Sequence, residues 1–306
     1  MVNSVASLYY RLLKICHMEK RKYMSGDEWV YCKIYSGELM LEKILTHKVN
    51  DVVKKFEDCG LMDKWFFIRY RDSEGSHLRL RFHSSIKTNL HQIQDILKES
   101  FSEMIISKEV AKVVFDTYSR EYERYGYSVY PEVEHIFKVD STSIIDLLSS
   151  ISLTEEKETK RWLNALILVD DTLSAYGLDV NQKLVLMRQQ RDSFRKEFGF
   201  TTIPFIRQLN NKYRENRSLI QQTLGGNLLC EFSDVLQVRK NNIREIVNKL
   251  SSEDRKLLIR SLPSVIHMSM NRLFVSSNRL CEMLIYDFIC RYYESLIART
   301  KYKEIK

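Results

Sequence analysis

The sequence has few of the residues that interrupt regular structure: its 306 residues include 3 prolines and 9 glycines. The prolines stand at positions 131, 204 and 263, so helices can be drawn almost continuously from Pro131 to Lys303, and no fixed-period repeat or low-complexity tract is present. The 6 cysteines (16, 32, 59, 230, 281 and 290) lie in apolar contexts without a CxxC pair. That spacing signals neither a zinc site nor a disulfide framework, and it fits reduced thiols in a cytosol. No apolar run approaches the ~20 residues of a membrane span, and Arg11 and Lys14 break the N-terminal one. Also missing are a P-loop, a GxGxxG turn, HExxH, a GxSxG elbow and any histidine pair at metal-ligand spacing. The expectation is a cytoplasmic protein with no cofactor, no metal and no membrane insertion.

What the chain does have is positive charge. Lys plus Arg exceed Asp plus Glu by 48 − 40 = 8, which makes acidic or polyanionic partners plausible and keeps a nucleic-acid reading open. Cations are dense in WFFIRYRDSEGSHLRLRFH, Trp65 to His83, where two runs of period-two alternation flank a polar turn. An antiparallel hairpin is the natural reading. Phe67, Arg69 and Arg71 share one parity of the first run; His77, Arg79, Arg81 and His83 share one parity of the second. The pattern predicts one apolar face and one arginine-rich face left open to an anion, or a solvated face with carboxylate partners.

Around the hairpin, WVYCKIYSG from Trp29 reads as a strand, and a helix follows through roughly 38–58 with a stop near Gly60. A second helix runs from about Asn89 to Met104, and the β-branched start of AKVVFDTYSREYERYG favours another strand. The order β-α-β-β-α-β is the split βαβ (ferredoxin-like) arrangement, with helices on one sheet face. The chain therefore reads as α+β: an α+β domain over 1–130 and a helical domain over 131–306 whose helices stop at Gly177, Gly199, Gly225 and Gly226. Within 1–26, SLYYRLLKICHM predicts a short N-terminal helix, and the basic tail RTKYKEIK a frayed terminus.

Candidate site residues are few. Besides the hairpin arginines, including Arg69, they are Glu121 and Arg124, which a helix would bring onto neighbouring turns, and His267, placed after Pro263 at the start of a helix with Asn271 and Arg272 close behind. Each has an ordinary alternative: a surface ion pair for Glu121 and Arg124, a satisfied core histidine for His267, and packing rather than base stacking for Tyr118, Tyr122, Tyr125, Tyr127 and Tyr130.

Taken together, WVYCKIYSG, WFFIRYRDSEGSHLRLRF, REYERYG and IHMSMNRL, in that order between Trp29 and Leu273, closely resemble the C-terminal elimination domain of lantibiotic dehydratases, also found free-standing in thiopeptide biosynthesis. The resemblance implies removal of glutamate from glutamylated Ser or Thr of a ribosomal precursor peptide, giving dehydroalanine or dehydrobutyrine. It implies a separate tRNA-dependent glutamylating subunit as partner, no stable tRNA binding by this chain, and possible homodimers. Motif by motif, it puts catalytic roles on Arg79, Arg81, Glu121, Arg124 and His267, with Arg69, Asn271 and Arg272 beside the substrate. The sequence departs from the family at Tyr127, where a second glycine is common.

In such an elimination Arg79 and Arg81 would grip the glutamyl carboxylate. His267 would take the α-proton or protonate the leaving group, and Arg124, oriented by Glu121, would stabilise the enolate-like oxygen. Two rival readings remain: the sister branch of cycloaddition enzymes that form the thiopeptide pyridine, which the five retained residues disfavour, and a non-catalytic nucleic-acid or peptide-binding module.

Overall fold

The first strands, β1 (Lys22–Tyr23) and β2 (Trp29–Tyr35), open the part of the chain that the computed structural model describes, residues 20–226 and 233–304. The N-terminal helix expected within 1–26 and two of the cysteines, Cys16 and Cys230, fall outside those residues. From Gly37 the chain enters α1 (Glu38–Ile44), which passes through a π-helical turn, Leu45–Val49, into α2 (Asn50–Asp58). The hairpin strands β3 (Lys64–Asp72) and β4 (Gly75–His83), the helix α3 (Lys87–Ile106) and the strand β5 (Lys112–Phe115) follow. The sheet order is β3-β4-β2-β5, antiparallel throughout, as the expected β-α-β-β-α-β arrangement requires. A second ladder, unforeseen in the sequence, joins β1 to β6 (Tyr118–Ser119).

Register corrects the reading of the hairpin. Asp72 faces Gly75 across a two-residue loop, in which the Asp72 carboxylate accepts the Glu74 N–H at 3.0 Å. Phe66 then lies opposite Arg81, Ile68 opposite Arg79 and Arg69 opposite Leu78. Residues that pair across strands share a face, so Arg79 and Arg81 stand with Phe66, Ile68 and Tyr70, while Arg69 and Arg71 lie on the other side. The cations are split between the two faces. The side with Val30, Cys32, Ile34, Phe67, Leu78, Leu80 and Phe82 is buried under α1, α2 and α3, with Phe56 edge-on to Phe82 at 5.3 Å. The Arg79 side was expected to be uncovered, but Tyr118 and Phe137 close one end of it, 5.9 and 5.3 Å from the Phe66 ring.

After a single helical turn, α4 (Tyr122–Tyr125), the remaining chain is helical: α5 (Tyr130–Ser152), α6 (Lys157–Ala175), α7 (Val180–Glu197), α8 (Ile203–Leu224), α9 (Ser233–Asn248), α10 (Ser252–Leu273) and α11 (Asn278–Glu304). The glycine stops after α6 and α7 are left-handed, φ +81° at Gly177 and +67° at Gly199. Pro263 lies inside α10, so His267 sits in the last third of that helix instead of at a helix start. The cap is Ser251, whose hydroxyl accepts the Asp254 N–H. Leu258 and Leu262 before the proline and Val265, Ile266 and Met270 around and after it are buried on one side, which holds both halves in one helix despite the missing N–H. Buried side chains run continuously from the sheet into these helices.

The free edge of β3 is closed by side chains. Ser141 Oγ accepts the Phe67 N–H at 3.3 Å and Arg272 Nε donates to the Phe67 carbonyl at 2.7 Å. Asn271 accepts the Arg69 N–H at 2.9 Å and donates to its carbonyl at 3.0 Å. Helices α5 and α10 thus substitute for a fifth strand, which an exposed sheet edge would otherwise recruit from another chain.

Candidate active site

A cleft of about 560 Å3 opens where the hairpin meets the C-terminal end of α10 and the start of α11. The hairpin contributes Arg69, Tyr70, Arg71 and His77, α10 contributes His267 and Asn271, and the connection into α11 contributes Ser276 to Arg279, with Glu38 of α1 on the rim. His267 is partly exposed, and its Nδ1 lies 2.7 Å from Oε2 of Glu282, a carboxylate with 1% of its side chain exposed. The other oxygen of Glu282 accepts from the Tyr286 hydroxyl at 2.5 Å. Burial, and then Glu282 itself, push the Tyr286 hydroxyl well above its ordinary range, so it stays a donor.

Arg79 reaches this cleft through its neighbours. Its guanidinium lies 3.5 Å from the centroid of the Tyr70 ring, and its Nε donates to Nε2 of His77 at 3.2 Å; Tyr70 and His77 both line the cleft. His77 is fully buried, and its Nδ1 donates to the Gly75 carbonyl at 3.2 Å, leaving Nε2 as the acceptor. Burial pushes the His77 imidazole below its ordinary range, and the charges of Arg79 and Lys33 add to that, against the Gly75 carbonyl and Asp72.

Arg81 is 8% exposed, between the rings of Tyr31, Phe66 and Tyr118 at 4.6, 5.0 and 5.2 Å, and its Nε and Nη1 have no hydrogen-bond partner. Glu121 and Arg124 form a 3.2 Å ion pair on the turn α4, both about half exposed. The Glu121 N–H donates to the Tyr130 hydroxyl at 3.0 Å, and Gly126 (φ +87°) ends the turn against Leu257 of α10. Tyr127, where the family departure lies, sits outward with its ring 4.8 Å from that of Tyr122.

Of the sequence candidates, then, His267, Asn271 and Arg69 line one cleft, Arg79 adjoins it, and Arg81, Glu121 and Arg124 stand apart around Tyr118 and Tyr130. Arg272 is fully buried, donating to Asp140 at 2.7 Å besides the β3 edge. Arg69 is tied to the Arg272 carbonyl and, with Arg161, to Glu42, so its guanidinium is committed to the cleft wall. Sequence reasoning missed Glu282 and Tyr286. Their signal was an acid inside the apolar run LCEMLIY, with a tyrosine four residues on and hence on the same helical side. Among the described residues there is no cluster of His, Cys, Asp or Glu able to hold a metal, and no helix long and apolar enough to cross a membrane.

The family model described as "Lantibiotic biosynthesis dehydratase C-term" matches residues 29–293. No curated protein sequence matches the chain. Among solved structures, the tRNA-dependent lantibiotic dehydratase MibB from Microbispora sp. 107891 superposes with a TM-score of 0.70 at 21% identity, over 90% of this chain and 29% of MibB. TsrL (TM-score 0.60, 13% identity) and TbtD, the pyridine synthase of thiomuracin biosynthesis (0.55, 13%), each superpose over 88% of this chain and over 95% and 98% of their own lengths. The chain spans under a third of the length of MibB.

Proposed function

Since this chain belongs to the lantibiotic dehydratase C-terminal family, we propose that it is a glutamate-eliminating lyase, acting on glutamylated Ser or Thr of a ribosomal precursor peptide made by a separate tRNA-dependent glutamylating subunit. The observation that carries the reading is an imidazole backed by a buried carboxylate, His267 and Glu282, on the wall of a cleft also lined by Arg71 and Arg279, which pair with Glu38 and Glu197. In the reaction, Nε2 of His267 takes the α-proton. The C–H pair becomes the new C=C bond, the Cβ–O bond breaks, and glutamate leaves as its carboxylate. Arg79, adjoining the cleft over Tyr70, faces the charge that builds on the leaving group, as preorganised cations do best in a partly desolvated site. Arg81 and the Glu121–Arg124 pair stand outside this cleft, around Tyr118 and Tyr130, and take the peptide on that one side of the reacting residue.

Expressed with a glutamylating partner and precursor, His267→Ala accumulates glutamylated peptide, which mass spectrometry reads as one added glutamyl mass per site. Unmodified peptide would mean that the residue serves folding or docking instead. A second reading, pyridine formation by cycloaddition, is favoured by the likeness of fold to TbtD. Its substrate already carries two dehydroalanines and has no glutamyl carboxylate to hold. The arginines at and beside this cleft, Arg71, Arg279 and Arg79, support the lyase.

A further inference from the structure

We infer that Glu282 and Tyr286 are positioning residues that fix the imidazole of His267 in one tautomer, with Nδ1–H held inward and the lone pair of Nε2 turned to the cleft. The geometry is specific. One carboxylate oxygen of Glu282 lies 2.7 Å from Nδ1 and the other accepts the Tyr286 hydroxyl at 2.5 Å. Glu282 is 1% exposed and Tyr286 fully buried, so water does not compete for these bonds. All three groups are on adjoining helices, α10 and α11, with Glu282 and Tyr286 one turn apart, so the orientation is set by backbone packing instead of a loop.

A carboxylate only accepts hydrogen bonds, so the nitrogen facing it must carry the proton, and the other nitrogen of a neutral ring must be the acceptor. The tyrosine does the same for the carboxylate: with Oε1 held, Oε2 cannot swing from Nδ1. A carboxylate in this place also stabilises the imidazolium formed once the α-proton has been taken. Neither residue touches substrate; both act through His267. The catalytic half of the inference rests on the lyase reading, while the tautomer does not.

The test uses the full chain labelled with 15N-histidine, with His267 assigned by its absence in His267→Gln. At pH 8.5, long-range 1H–15N spectra of the wild type are expected to show His267 as the Nδ1–H tautomer, Nε2 unprotonated. On glutamylated peptide, Glu282→Gln is expected to lose about 10²-fold in kcat at unchanged KM, and Tyr286→Phe, the milder change should the first not fold, several-fold with the same split. A wild-type ring in the Nε2–H form, or variants with wild-type kcat, would overturn the inference. A wild type in the expected tautomer that releases no glutamate would instead sink the lyase reading and leave the positioning standing.

Discussion

Asp140 anchors two buried arginines in the interior. Its carboxylate receives Arg239 at 2.9 and 2.7 Å and Arg272 at 2.7 Å, all three side chains within 1% of complete burial. Burial alone would push the carboxyl up; the two guanidiniums more than offset it and hold Asp140 below the usual carboxylate range. Removing the carboxylate strands two buried cations, so Asp140→Ala is expected to cost about 3–5 kcal/mol in urea unfolding. The sign with pH follows. A group whose folded pKa lies below its unfolded value near 3.8 contributes stability above that value and loses it as pH falls through the folded one. Stability should therefore drop below about pH 4, and a loss already complete at pH 6 would contradict the assignment. His77 acts in the same direction in a higher window: its depressed imidazole favours the folded state above its ordinary ~6.5, and acid works against it below that. Protonation there also removes the acceptor of Arg79. An NMR titration should find the His77 ring neutral at a pH where exposed histidines are half charged.

At the scale of elements, the closed edge of β3 is the feature that joins sheet to helices. Asn271→Ala leaves both the N–H and the carbonyl of Arg69 without partners in a partly buried place, at a cost of about 1–3 kcal/mol. Amide exchange at Arg69 should quicken more than at Leu80 in the sheet's centre; equal protection would show that another group closes the edge. Gly126 is the other sensitive joint, because a Cβ there would sit 2.7 Å from Leu257 Cδ2 on a backbone of φ +87°. Gly126→Ala is expected to lower Tm and to shift the resonances of Glu121 and Arg124 on the adjoining turn. These joints were not legible in the sequence, whereas the order of elements in the four-stranded sheet was, because period two and glycine stops are local signals; the β1–β6 ladder, of two residues a side, was too short to show a period. Which residues share a sheet face depends on the length of the hairpin loop. One residue more or less in DSEGS would have put Arg69 beside Arg79, and the two-residue loop put it opposite Leu78. The stretch around REYERYG, ambiguous locally, divides: Tyr118–Ser119 pair with β1, and Tyr122–Tyr125 form one helical turn that Gly126 ends beside Leu257 of α10. The dyad partner of His267 comes from another helix, a contact that spacing within α10 does not encode.

For the whole molecule, the excess of positive charge invites a nucleic-acid reading, but part of it is spent inside. Arg69, Arg81, Arg120, Arg161, Arg239 and Arg272 are buried, where they pair with carboxylates or pack on rings, while Arg207, Arg214 and Arg217 of α8 stay exposed. We expect tRNA binding by this chain to be weak and to fall steeply with salt; tight, selective binding that survives moderate salt would argue for the binding-module reading. The account as a whole stands on glutamate elimination, and the direct measurement is mass spectrometry of peptides incubated with the purified chain alone. We predict that a glutamylated precursor loses glutamate and gains a dehydro residue at each modified Ser or Thr, while the unmodified precursor is untouched; a glutamylated peptide returned unchanged by folded protein would contradict it.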